Sequence, residues 1–157
     1  MPAYAPWDAE AARTIIADKR NMPGALLPIL HALQEEFGYV DRAAEPLIAD
    51  ILNLSRAEVH GVVTFYHDFR QKPAGRHVLK MCRAESCQAR GSDALAARVE
   101  ARFGIAFGAT TADGSLSLEP VYCLGLCSVS PSAILDGKVV GRLNESKLDA
   151  LLAEADQ

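Results

Sequence analysis

Over residues 1–70 the apolar positions recur at helical spacing. Ala11, Ala12, Ile15 and Ile16 share one face of a segment that Asp8 can cap. Leu26, Leu30, Leu33 and Phe37 advance in steps of four and three residues, and Gly38 stands where a helix commonly ends. Pro28 fits that helix only near its start, where its missing N–H would have no partner anyway. Leu47, Ile48, Ile51 and Leu52 mark a third helix. Ser55 and Glu58 form the two ends of a capping box that opens a fourth, with Val59, Val62, Val63 and Tyr66 as its apolar stripe.

The period then changes. "RQKPAG", Arg70 to Gly75, is polar with Pro and Gly and reads as a connection. Beyond it "HVLKM" reads as a strand running into Cys82. Leu95, Val99 and Phe103 lie on one face of a helix capped by Ser92 or Asp93 and closed by Gly104. "SLSLEPVY" alternates apolar and polar residues, as a half-buried strand does, and runs into Cys123; Pro120 suits an edge or distorted place in it. Asp136-Gly137 between two apolar runs is a strong hairpin signal. Asn144 caps a last helix bearing Leu148, Leu151 and Leu152. The expected organisation is α+β: a helical domain over 1–70, a linker over 71–75, and over 76–157 a small α/β domain with a helix on a sheet.

Composition narrows the function classes. Of the 157 residues 50% are hydrophobic and 23% charged, an ordinary globular balance, and the net charge of −4 disfavours nucleic acid or an anionic membrane as main partner. The acidic, proline-broken start "MPAYAPWDAEAARTIIADKR" does not read as a targeting segment, and no apolar run is long enough to span a bilayer. The expectation is a cytoplasmic protein, in whose reducing surroundings cysteines serve as metal ligands or redox groups rather than disulfides.

Four cysteines occur, as two pairs: Cys82 with Cys87 and Cys123 with Cys127. Each pair follows a predicted strand. Neighbouring strands lie about 5 Å apart, so loops leaving the same sheet end can bring four sulfurs together. Three chemistries compete. Structural zinc favours closely spaced thiolate pairs. A dithiol redox site usually wants cysteines two apart at a helix start, which neither pair offers. A [2Fe–2S] cluster spreads four thiolates over two irons and tolerates wider, unequal spacing, although the plant-type ferredoxin order is absent. Lys80, Arg83 and Arg90 flank the first pair; they would favour a more anionic reduced cluster, or are simply solvated surface charges. Gly91, Gly125 and Ser128 to Ser130 make loops in which amide N–H groups can approach sulfur.

"GVVTFYHDFRQKPAGRHVLKMCRAESCQARG" and "TTADGSLSLEPVYCLGLCSVSPS" resemble the thioredoxin-like [2Fe–2S] family, which includes the 24-kDa subunit of respiratory complex I and the gamma subunit of soluble NAD-dependent formate dehydrogenases. The helical opening, "GALLPILHALQEEFGYV" and "LSRAEVHGVVTFYHDF", is similar as well. "CRAESCQ" and "LEPVYCLGLC" bring the chain nearest to the formate dehydrogenase gamma subunits. The resemblance implies a thioredoxin-like second domain in which Cys82, Cys87, Cys123 and Cys127 bind one [2Fe–2S] cluster. It implies docking against a subunit that binds FMN and NAD, with the molybdenum cofactor on a separate large subunit. Pro131 stands where thioredoxin folds carry a cis proline. The role implied is electron transfer rather than catalysis; all-thiolate ligation suggests a low potential, about −400 mV in plant-type ferredoxins. The equivalent subunit of an NADH-quinone oxidoreductase or of an NAD-reducing hydrogenase is the alternative.

The remaining candidates are weaker. His31, His60, His67 and His77 could ligate metal as in Rieske centres, but four cysteines fill such a site already. Phe65, Tyr66 and Phe69 form an aromatic cluster, read either as core or as a contact face for a partner. "ILNLSRAEVHGVV" could be a helix-turn-helix of a zinc-binding regulator, yet Arg56 is the only Lys or Arg in "LSRAEVHGVVTFYHD". GxGxxG and P-loop patterns are both absent, so NAD and FMN are expected on partners.

Overall fold

Asp8 accepts the Ala11 N–H at 2.7 Å and starts α1, Ala9–Lys19, in the computed structural model of the chain, which describes residues 4–155. The chain divides into two compact units between Pro73 and Ala74. In the first unit α2, Leu26–Phe37, α3, Ala44–Leu52, and α4, Arg56–Phe65, follow α1. Pro28 is the third residue of α2, where an N–H would lack an intrahelical acceptor, and Gly38 closes the helix at φ 79°. Ser55 and Glu58 make the reciprocal capping box, the Ser55 N–H donating to Glu58 Oε2 at 2.8 Å.

The apolar stripes meet as the spacing predicts. Ile16, Ile29, Leu30, Leu33, Ile48 and Val59 are fully buried in one cluster. The stripe of α4 ends sooner than the pattern suggests, because Tyr66 is already extended backbone and 43% exposed. The chain beyond α4 is tied back to α2: Gln34 donates from Nε2 to the Asp68 carbonyl and accepts the Arg70 N–H on Oε1.

The second unit is a mixed five-stranded sheet with helices. Its strands are β1, His77–Cys82; β2, Ala109–Thr110; β3, Leu116–Val121; β4, Ala133–Leu135; and β5, Lys138–Val140, in the spatial order β2-β3-β1-β4-β5. β1 and β3 are parallel neighbours, with Cys82 beside Val121; the other pairings are antiparallel. A parallel pair needs a crossover. Here α5, Glu85–Ala89, and α6, Ser92–Phe103, supply most of it. α7, Glu145–Ala155, ends the described chain, its Asn144 cap accepting the Lys147 N–H at 2.9 Å. Leu79, Met81, Leu116 and Leu118 alternate along β1 and β3 and are buried with Leu148 and Leu152 of α7. This α+β arrangement is thioredoxin-like, with the helical segment preceding the sheet.

Local differences from the sequence expectation have physical causes. Ser92 and Asp93 lie inside α6, and Gly91 is its N-cap at φ 89°, a left-handed conformation that Ser or Asp would adopt only under strain. Asp93 instead binds Arg83 Nη2 at 3.0 Å. Pro120 sits in β3, between two strands, yet β2 pairs only with Ser117 and Leu118. Leu118 directs its carbonyl toward that side, accepting the Gly108 N–H, so Pro120, two residues on, turns its missing N–H to where β2 has ended. At the hairpin Asp136 and Gly137 both have positive φ, 49° and 85°, the pattern of a type I′ turn.

Candidate metal centre

The parallel pairing of β1 and β3 puts the ends of both strands on one edge of the sheet, and the cysteines follow from that. Cys82 is the last residue of β1. Cys123 stands two residues past β3 and turns sharply, at φ 97°. Such a conformation is costly for a residue with a Cβ and persists only where its surroundings enforce it. Cys87 is carried back by α5, and Cys127 opens a 3-10 turn, Cys127–Val129.

All four cysteines are free thiols, and they meet two by two. Cys123 Sγ and Cys127 Sγ are 3.7 Å apart. Two thiolates on one tetrahedral metal at bonds of about 2.3 Å would be separated by about 3.8 Å. Cys82 and Cys87 are in side-chain contact as well. The pairs are linked across the gap: Cys82 Sγ receives the backbone N–H groups of Cys123 and Leu124. Among the described residues, no three His, Cys, Asp or Glu side chains close around a single ion.

The two pairs differ in environment. Cys82 and Cys87 are buried; Cys123 and Cys127 are exposed. Burial acts to raise the Cys82 thiol, but the Ala84 N–H, the Cys87 side chain and the N–H groups of Cys123 and Leu124 outweigh it, and its pKa is lowered. Cys87 is pushed up by burial and by Cys82 beside it, against hydrogen bonds from Ser132. Cys127 is raised first by its contact with Cys123, then by the charge there. Thiols that oppose one another's ionisation are what a cation must compensate, and an all-thiolate donor set with N–H groups at its sulfurs fits an iron–sulfur cluster.

The flanking cations are mostly neutralised. Lys80 pairs with Glu119 at 3.6 Å, and Arg83, bound to Asp93, lies 4.9 Å from the Phe107 ring centre. Arg90 differs. With Arg142 it lines a cleft of about 490 Å³ beside Cys127, alongside Ser86 and Ser130, and among the described residues no acidic side chain lines it. Ser86 Oγ donates to the Cys127 carbonyl at 3.2 Å and lies 3.0 Å from Ser130 Oγ. The Ser130–Pro131 bond is cis, as the resemblance leads one to expect.

Three of the four histidines are engaged elsewhere. His60 Nδ1 is 3.0 Å from Glu45 Oε1, and His31 packs on the Phe69 ring. His77 opens β1 and bonds Asp136 at 2.6 Å. Five residues of strand, about 16 Å, separate it from Cys82. The aromatic cluster splits: Phe69 is buried, whereas Phe65 is 73% exposed. Ser132, buried beside Cys87, is the site residue that spacing did not single out; the small polar run "CSVSPS" was its only trace.

Comparison with known proteins identifies the family. The family model described as thioredoxin-like [2Fe-2S] ferredoxin matches residues 12–156. A subunit of an NADH-quinone oxidoreductase of Rhizobium meliloti is 37% identical over 145 residues, covering 92% of this chain and 84% of the relative. The HndA subunit of the NADP-reducing hydrogenase of Solidesulfovibrio fructosivorans is 28% identical, over 98% of this chain and 92% of its own. Among solved structures, an air-oxidised NAD⁺-reducing [NiFe]-hydrogenase superposes on 88% of this chain with a TM-score of 0.73 and 29% identity. The match spans only 24% of that longer hydrogenase chain.

Proposed function

Because the chain belongs to the thioredoxin-like [2Fe-2S] ferredoxin family, we propose that Cys82, Cys87, Cys123 and Cys127 together hold one [2Fe–2S] cluster in an electron-transfer subunit. The observation that carries this reading is the meeting of four thiols in two pairs at the shared end of β1 and β3. When bound, such a cluster supplies a one-electron couple. The chain's own part is to hold it and bias it. Thiolates bind the irons, and the N–H groups of Ala84, Cys123, Leu124 and Gly125 direct positive dipoles at sulfur, the last at 3.3 Å from Cys123 Sγ. Burial excludes water on the Cys82–Cys87 side, and exposure leaves the Cys123–Cys127 side within reach of a partner.

Within that class the assignment is to an NAD-dependent formate dehydrogenase complex in the cytoplasm, supported by the resemblance carried in "CRAESCQ" and "LEPVYCLGLC". Its partners are then an FMN- and NAD-binding subunit and a large subunit holding the molybdenum cofactor. A second reading is the equivalent subunit of an NADH-quinone oxidoreductase or a pyridine-nucleotide-reducing hydrogenase, favoured by the names of the relatives above. Native affinity purification of the tagged chain, with metal analysis of what accompanies it, separates the two. Molybdenum with formate-dependent NAD⁺ reduction is the expected result. Recovery with nickel, or with quinone-reducing membrane subunits, would overturn the formate assignment.

A further inference from the structure

We propose that Ser132 is a positioning residue that sets how readily the cluster takes up an electron, by donating hydrogen bonds to the Cys87 sulfur. This rests on the [2Fe–2S] reading above. Ser132 is 2% exposed, and Cys87 Sγ, 3.7 Å away, is the partner its hydroxyl reaches. Its backbone N–H is directed at the same sulfur. Its carbonyl meanwhile accepts the Cys82 N–H at 3.1 Å, so one residue grips both buried cysteines. The sheet fixes this placement. β4 pairs antiparallel with β1, Ala133 facing Met81, and the next step of that register sets Ser132 against Cys82.

A free thiol and a hydroxyl can each donate to the other. A cysteine bound to iron has lost its proton, so the Ser132 hydroxyl is then the only possible donor. A buried hydroxyl without a partner is costly, and alanine would fill the position as a mere spacer just as well. Reduction adds one electron, much of whose charge falls on the sulfurs. A donor at sulfur therefore stabilises the reduced state more than the oxidised one and raises the potential. Ser132 keeps its proton throughout.

The test is an anaerobic redox titration of the full chain carrying its cluster, the electron coming from dithionite and the state read from visible absorption. Ser132→Ala should favour the oxidised form about tenfold relative to the unaltered protein, a fall of about 59 mV in a one-electron couple. Ser132→Thr should stay near the unaltered value. Ser132→Val, with the shape of Thr and no hydroxyl, should fall as the alanine variant does. Ser117→Ala removes a buried hydroxyl bonded to Thr110 and to the Gly75 N–H, away from the sulfurs, and should leave the potential unchanged. If the alanine variant assembles no cluster, the Thr and Val pair carries the comparison. Equal potentials for Thr and Val, or an equal fall for Ser117→Ala, would overturn the inference. A chain that takes up no [2Fe–2S] cluster at all would instead defeat the functional reading beneath it.

Discussion

At the scale of single residues, four identical side chains have been given two environments. Cys82 and Cys87 are shielded, while Cys123 and Cys127 stand in solvent. In cluster-free protein the exposed pair should therefore be alkylated by iodoacetamide first, as peptide mass spectrometry can read; uniform labelling of all four would contradict the burial described. Asp113 offers a second test. The Thr111 side chain, then the N–H and hydroxyl of Ser115, bind its carboxylate and lower its pKa from 3.8 to about 2. A carboxylate depressed in the folded state contributes stability above its unfolded pKa and loses it as pH falls toward the folded one. Asp113→Asn should thus flatten the stability loss between about pH 4 and pH 2 in acid denaturation curves. The cysteines themselves were legible in the sequence by count and spacing. Ser132 was not, because what marks it is register against β1, which no local pattern encodes.

Elements were legible in proportion to their length. α2 shows its period over 12 residues and its terminating glycine, and both appear in the sequence. α5 has five residues and β2 two, too few to display any period, and both escape notice. The N-terminus of α6 misleads for a different reason: Ser92 and Asp93 are good caps by type, but the left-handed turn at Gly91 settles the boundary. The hairpin is clear because its two-residue turn has chemistry of its own. Gly137 has φ 85° and open space around its Cβ position, so Gly137→Ala should cost about 1–2 kcal/mol through backbone strain alone. Ser55→Ala, removing half of the capping box, should cost about 1 kcal/mol. Urea denaturation reads both.

At the scale of the whole molecule, charge and exposure point to where a partner comes near. The chain carries a net −4, yet the cleft beside Cys127 is lined by Arg90 and Arg142 and, among the described residues, by no acid. A carboxylate-bearing loop on the flavin subunit proposed above as partner would suit it. Arg90→Glu with Arg142→Glu should weaken that association about tenfold or more at low salt, less at high salt, with the cluster spectrum unchanged. Isothermal titration at two ionic strengths measures it; equal affinity for both proteins would place the contact elsewhere. What the fold adds at this scale is convergence: spacing leaves open whether the two loops meet, and the parallel pairing of β1 with β3 brings them together. The most direct measurement is iron, sulfide and zinc analysis of anaerobically purified protein, with an EPR spectrum after dithionite reduction. Two irons and two sulfides per chain, with a single spin-one-half signal on reduction, are the result expected. One zinc per chain, no sulfide and no reducible signal would contradict the account.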